Sequence, residues 1–197
     1  MKKIAVLVSG GGTNLQALID AQKEGIIKGG EISLVVSSMA GSAALTRAEK
    51  AGIKTIIIER KKHPDSQDFD TLVAAALSEN NIDLVVLAGF LSVLGEKVLN
   101  LFENRIINVH PSLIPSFCGK GFYGIRVHKA ALSKGVKVTG ATVHFVNNEV
   151  DGGKIILQKA VDVLPGDTPE TLQQRVMREG EWVLLPKAVA MFCSGEL

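Results

Sequence analysis

Asn108 and His110 stand two residues apart at the end of the apolar run RIINV, immediately before Pro111. Side chains of an extended chain alternate between its two sides, so the amide and the imidazole point the same way. Pro111 has no N–H to give a strand ladder, and the strand stops there. Two donors aimed at one point can stabilise an oxygen that becomes an alkoxide during a reaction. Further along, the turn NNEVDGG carries Asn147, Asn148, Glu149, Val150 and Asp151. A carboxylate from that turn, set beside the imidazole, would orient it, raise its pKa and keep it cationic near neutral pH. Asn108, His110 and Asp151 are therefore the candidate catalytic residues. The competing reading of the same spacing is a structural histidine at a strand end. His63, His110, His128 and His144 show no H-x-H or H-E-x-x-H spacing, so no metal site is expected. Cys118 follows His110 by eight residues, but no helix start or third partner is evident to activate a thiolate nucleophile.

A second candidate is SGGGTN, residues 9–14, between the first apolar run and the first helical pattern. Glycines let backbone approach an anion, and the free amides of a helix start favour phosphate. The segment is no P-loop, because G-x-x-x-x-G-K is absent. It fits a dinucleotide fingerprint poorly, because Leu15 stands where Gly or Ala is wanted and Ser37 and Ser38 end the next strand without an acidic residue. Two readings remain: a phosphate cradle, or a tight turn capped by Thr13 or Asn14.

These residues need a scaffold. Near-continuous apolar runs at 3–8, 32–36, 54–58, 83–88 and 105–109 read as strands covered on both faces, as in a parallel sheet. Helical patterns fall between them at 13–24, 42–51, 66–79 and 95–103. Residues 137–146 and 153–162, joined by the turn that holds Asp151, read as an antiparallel pair, and a final helix is expected over about 168–192. The expected fold is α/β: a doubly wound, Rossmann-like, mostly parallel sheet with helices on both faces and an antiparallel C-terminal edge, in one domain over 1–197. Ligands of such a sheet bind beyond the carboxyl ends of the strands, where the winding reverses. Asn108, His110 and the glycine turn all belong at that edge.

Composition narrows the partners. The 197 residues are 46% hydrophobic and 21% charged, and 22 basic residues nearly cancel 20 acidic ones. That balance calls for neither nucleic acid nor an anionic membrane. Two cysteines without C-x-x-C spacing, and an N-terminal apolar run of only six residues, point to a reduced, soluble, cytoplasmic protein.

The combination of INVHPSLIPSF with GATVHFVNNEVDGGKIILQ resembles the folate-dependent formyltransferase family. SGGGTNLQALID and LAGFLSVL are most similar to those members that formylate glycinamide ribonucleotide, and the likeness runs from residue 3 to about 190. The resemblance implies 10-formyltetrahydrofolate as formyl donor, glycinamide ribonucleotide as acceptor, no metal, and a monomer or homodimer. It implies that Asn108, His110 and Asp151 are catalytic, and that Gly12, Thr13 and Asn14 cradle the ribose phosphate. The pterin would lie along Leu91, Ser92, Val93 and Leu94 and along Asn147, Asn148, Glu149, Val150 and Asp151, largely on backbone groups, with Asn108 also in contact. Glu181 becomes a contact for the glycinamide, provided that the helix before it carries one extra residue. Ser92 stands where relatives often have Arg, and Cys118 where Pro is common. The glycine-rich stretch 119–124 is either a lid or a surface loop.

Overall fold

A computed structural model describes all residues, 1–197. In the first strand, β1 (Lys2–Val8), Ile4, Val6 and Val8 join one apolar cluster while Ala5 and Leu7 join another on the opposite side. All five are fully buried, the signature of a strand covered on both faces. The other expected runs form β2 (Gly30–Ser37), β3 (Lys54–Ile57), β4 (Leu84–Leu87) and β5 (Ile106–His110), all parallel to β1. The late pair forms β6 (Val138–Phe145) and β7 (Ile155–Asp162), antiparallel to β5 and to each other. The sheet order is β3-β2-β1-β4-β5-β6-β7, so the winding leaves β1 in both directions and reverses between β1 and β4. The expected architecture is the observed one.

The larger apolar cluster packs α1 (Thr13–Lys23), α2 (Ala43–Lys50) and the C-terminal helices onto one face. The smaller cluster packs α3 (Ser66–Glu79) and α4 (Glu96–Leu101) onto the other. No helix is long and apolar enough to cross a membrane.

Two elements depart from expectation. A helix, α5 (Ile125–Lys134), follows directly on the glycine-rich stretch 119–124, over residues for which no element is expected from the sequence. Its inward face is Val127, His128 and Ala131, and a histidine among so few buried positions hides the apolar period. The single C-terminal helix is instead α6 (Pro169–Val176), a π-helical turn (Met177–Glu181) and α7 (Trp182–Ser194). A π turn inserts one residue into an α-helix, and such insertions frequently mark functional sites. Gly180 lies in it against β6, where an added Cβ would fall 2.9 Å from Ala141 Cβ.

Candidate active site

The antiparallel register of β5 and β6 sets the centre of the site. Asn108 faces His144 across the strands and His110 faces Thr142. Asn108 Nδ2 lies 3.1 Å from His144 Nε2, and His144 Nδ1 lies 2.7 Å from the Phe145 carbonyl.

Asp151 comes from the turn between β6 and β7, where it holds the left-handed backbone value φ 58°. Its Oδ2 lies 3.5 Å from His110 Nδ1 and its Oδ1 lies 3.7 Å from His144 Nε2. Oδ2 also accepts the Gly119 N–H at 2.8 Å. Burial pushes the Asp151 carboxyl up, but His144, His110 and the Gly119 amide together outweigh burial and hold it below the ordinary carboxylate range. It is therefore ionised at neutral pH.

His110 is buried, with Nε2 2.9 Å from the Phe117 carbonyl. Both ring nitrogens thus face acceptors, an arrangement that favours the doubly protonated ring. Burial works against it and prevails: it lowers the His110 pKa further than Asp151 and the Phe117 carbonyl raise it, with His144 also lowering it. The expectation of an imidazole held cationic by its carboxylate is corrected accordingly. Asp151 stands beside the ring as expected, but desolvation outweighs its attraction and the ring is neutral in the free protein at pH 7.

Glu181 is delivered from the π turn to the opposite wall. It is buried and accepts Asn14 Nδ2 at 2.7 Å. Burial raises its pKa to about 6, against the smaller downward pull of the Asn14 bond. Glu181 is the last residue of that π turn.

Between these walls lies a cavity of about 430 Å³, within the range of small-molecule sites. Leu91, Ser92, Val93 and Leu94 line one side, and Asn147, Asn148, Glu149, Val150 and Asp151 another; Asn14, Asn108, His110 and Glu181 also border it. Gly12 and Thr13 do not border this cavity; they form the adjoining turn, where Thr13 Oγ1 lies 3.8 Å from Met177 Sδ. Gly12 takes φ 70°, and a Cβ there would sit 2.7 Å from the Ala44 Cα. Among the lining residues, Leu91 and Val93 are the most exposed large apolar side chains.

Residues 2–189 match the family described as formyl transferase. The chain belongs to that family. It is 40% identical over 197 residues to the phosphoribosylglycinamide formyltransferase of Haemophilus influenzae, covering all of this chain and 90% of that protein. It is 47% identical over 193 residues to the trifunctional purine biosynthetic protein adenosine-3 of Gallus gallus, covering 98% of this chain and 18% of that protein. The chain thus spans less than a fifth of the length of these trifunctional relatives. The structure of glycinamide ribonucleotide transformylase 1 from Symbiobacterium toebii superposes with a TM-score of 0.92 at 43% identity, covering 99% of this chain and 89% of that one.

The site also holds side chains that spacing did not single out. His144 orients Asn108, and only the β5–β6 register reveals it. His128, buried against the same cavity, has its pKa lowered to about 4 by burial and by the nearby His110. Cys118 sits between the two backbone groups that hold His110 and Asp151. Burial, Asp151 and Glu149 push its thiol pKa up, which leaves it a poor nucleophile.

Proposed function

We propose that the chain transfers the formyl group of 10-formyltetrahydrofolate to the primary amine of glycinamide ribonucleotide, a step of purine biosynthesis. The observation that carries the reading is the meeting of Asn108, His110 and Asp151 on a cavity that the Leu91–Leu94 loop, the 147–151 turn, Asn14 and Glu181 also border. The names of the relatives that the chain matches over nearly its whole length support the same reading.

In this mechanism the glycine turn and the start of α1 take the phosphate, and Glu181, fixed by Asn14, takes the glycinamide amine. The folate lies against Leu91–Leu94 and the 147–151 turn, with its formyl carbon facing the amine. Holding the two together converts a bimolecular attack into an intramolecular one.

Attack of the neutral amine forms a C–N bond and places negative charge on the formyl oxygen. The Phe117 carbonyl marks where an acceptor sits 2.9 Å from His110 Nε2. When the formyl oxygen takes that place, His110 donates to it and the Asn108 amide supplies the second donor. One such donor contributes roughly 2.7–4 kcal/mol to transition-state stabilisation. The reaction moves one proton from the attacking amine to the departing folate nitrogen, so none is consumed. Asp151, ionised beside His110 Nδ1, is the base on that route, and a proton reaching His110 meets acceptors at both nitrogens.

The test is release of tetrahydrofolate from 10-formyltetrahydrofolate, measured with and without glycinamide ribonucleotide. The reading requires release that depends on the ribonucleotide. Release at the same rate without it would indicate a hydrolase, and full activity in His110→Ala or Asp151→Ala would remove the proposed roles.

A further inference from the structure

The loop from β4 to α4, which forms the Leu91–Leu94 wall, is fastened at both ends by buried side chains. At its far end Asp70, on α3, accepts the backbone N–H groups of Gly95 (2.7 Å), Lys97 (2.9 Å) and Val98 (3.2 Å). At its near end the Leu91 N–H donates to Ser9 Oγ at 2.9 Å. Ser9 does not belong to that loop. It is the first residue after β1 and opens the glycine turn; its hydroxyl is buried, 2.6 Å from Ser38 Oγ. The turn that follows is tied to α2, because the Gly10 carbonyl accepts the Ala44 N–H at 3.1 Å and the Gly11 carbonyl accepts Arg47 Nε–H at 2.9 Å.

The position follows from the topology. β1 and β4 are neighbours at the point where the winding reverses, and their backbone bonding ends with Ala88 N–H to the Leu7 carbonyl at 3.0 Å. Beyond that bond the two chains part to make the two sides of the site. The Ser9 hydroxyl supplies the next acceptor in place of a backbone carbonyl, so one side chain spans the parting.

We propose that Ser9 is a positioning residue that couples the two substrate sites. Ordering of the glycine turn around the ribonucleotide phosphate fixes Ser9, and through Leu91 it fixes the apolar wall that the folate uses. The converse holds equally, because coupling between two binding equilibria is reciprocal. Whichever ligand arrives first immobilises the bridge, and the second meets a wall already ordered. Asp70 holds the same wall without touching the glycine turn, so its loss weakens folate binding and leaves the coupling intact. The proposal rests on the assignment of these two surfaces to the ribonucleotide and the folate.

The experiment is calorimetric titration of the full chain with glycinamide ribonucleotide and tetrahydrofolate, which carries no formyl group and so forms a ternary complex without turnover. In the unaltered protein each ligand is expected to tighten the other about five-fold or more. In Ser9→Ala the two should bind independently, whereas Asp70→Asn should bind tetrahydrofolate more weakly with the five-fold factor retained. Failure of the ribonucleotide to bind the unaltered protein would overturn the functional reading and this proposal with it. Binding of both ligands with no mutual effect in the unaltered protein, or with an undiminished effect in Ser9→Ala, would overturn the role of Ser9 alone. Should Ser9→Ala not fold, Ser38→Ala leaves Ser9 in place but removes its partner. A reduced factor there supports the proposal, and an unchanged one refutes it.

Discussion

Glu181 accepts a hydrogen bond from Asn14 across 2.7 Å, joining the C-terminal π turn to the first helix. The acid is buried, and its pKa of about 6 lies above its ordinary value of 4.5. The folded chain therefore keeps this proton to higher pH than the unfolded chain does, and between the two values the native state binds more protons. Stability from this group is present below pH 4.5, falls as pH rises towards 6 and stays low above it. A rise from 4.5 to about 6 corresponds to about 2 kcal/mol. Glu181→Gln, which still accepts from Asn14, should be more stable than the parent by about that amount at pH 8 and no more stable at pH 4. Urea unfolding at the two pH values measures the difference.

The same variant should act oppositely on the reaction. With the carboxylate gone, the amine of the ribonucleotide loses its charged partner, so kcat/KM for the ribonucleotide falls while the fold gains stability. The acid limb of the parent kcat/KM profile should centre near pH 6 and vanish in Glu181→Gln; a limb unchanged in the variant would assign it elsewhere.

His110 offers a second titration. Burial holds its pKa down and Asp151 partly restores it. In Asp151→Asn the restoring charge is absent, so His110 should titrate at a lower pH still. Proton resonances of the ring followed against pH report this directly, and an upward movement would mean that Asp151 is not its electrostatic partner. Turnover should drop about 10²- to 10⁴-fold in the same variant. The losses in Asp151→Asn and His110→Ala should not multiply when combined, since the two act as one unit.

Gly12→Ala tests the close packing of the glycine turn. The backbone there is left-handed, and the new methyl would meet the main chain of α2. A side chain in that conformation costs about 1–2 kcal/mol and overpacking about 1–3 more. The variant should lose about 2 kcal/mol or more in urea unfolding and bind the ribonucleotide more weakly, with tetrahydrofolate binding the less affected.

Cys118 is exposed enough to react, yet its raised pKa keeps it a thiol. Alkylation by iodoacetamide at pH 7 should run slower than that of free cysteine and accelerate towards higher pH. Rapid alkylation at neutral pH would mean that burial and the neighbouring carboxylates do not raise the thiol's pKa.

Much of this is legible in the sequence. The five parallel strands announce themselves because burial on both faces makes each an unbroken apolar run, as in IAVLV of β1. Asn108 and His110 share a side because strand geometry has a period of two. Asp151 could be placed only by assuming that its turn folds over the same edge, which the sheet order provides. His144 was invisible in the same sense: its partnership with Asn108 exists only once β5 and β6 pair in register, and nothing local specifies that register. α5 was missed because its short buried face includes a histidine. The charge on His110 is not legible, because a sequence displays the neighbouring carboxylate but not the desolvation that opposes it.

The π turn separates two tasks that a regular helix would merge. The flanking helices keep their own apolar faces on the sheet, and the surplus residue between them is released from any duty in that packing. A chain shortened by one residue within 177–181 would close into an unbroken helix with both faces still seated, but no carboxylate would reach Asn14. Such a chain should fold soundly and fail to hold its acceptor, which makes this single position a place where architecture and chemistry can be lost one without the other.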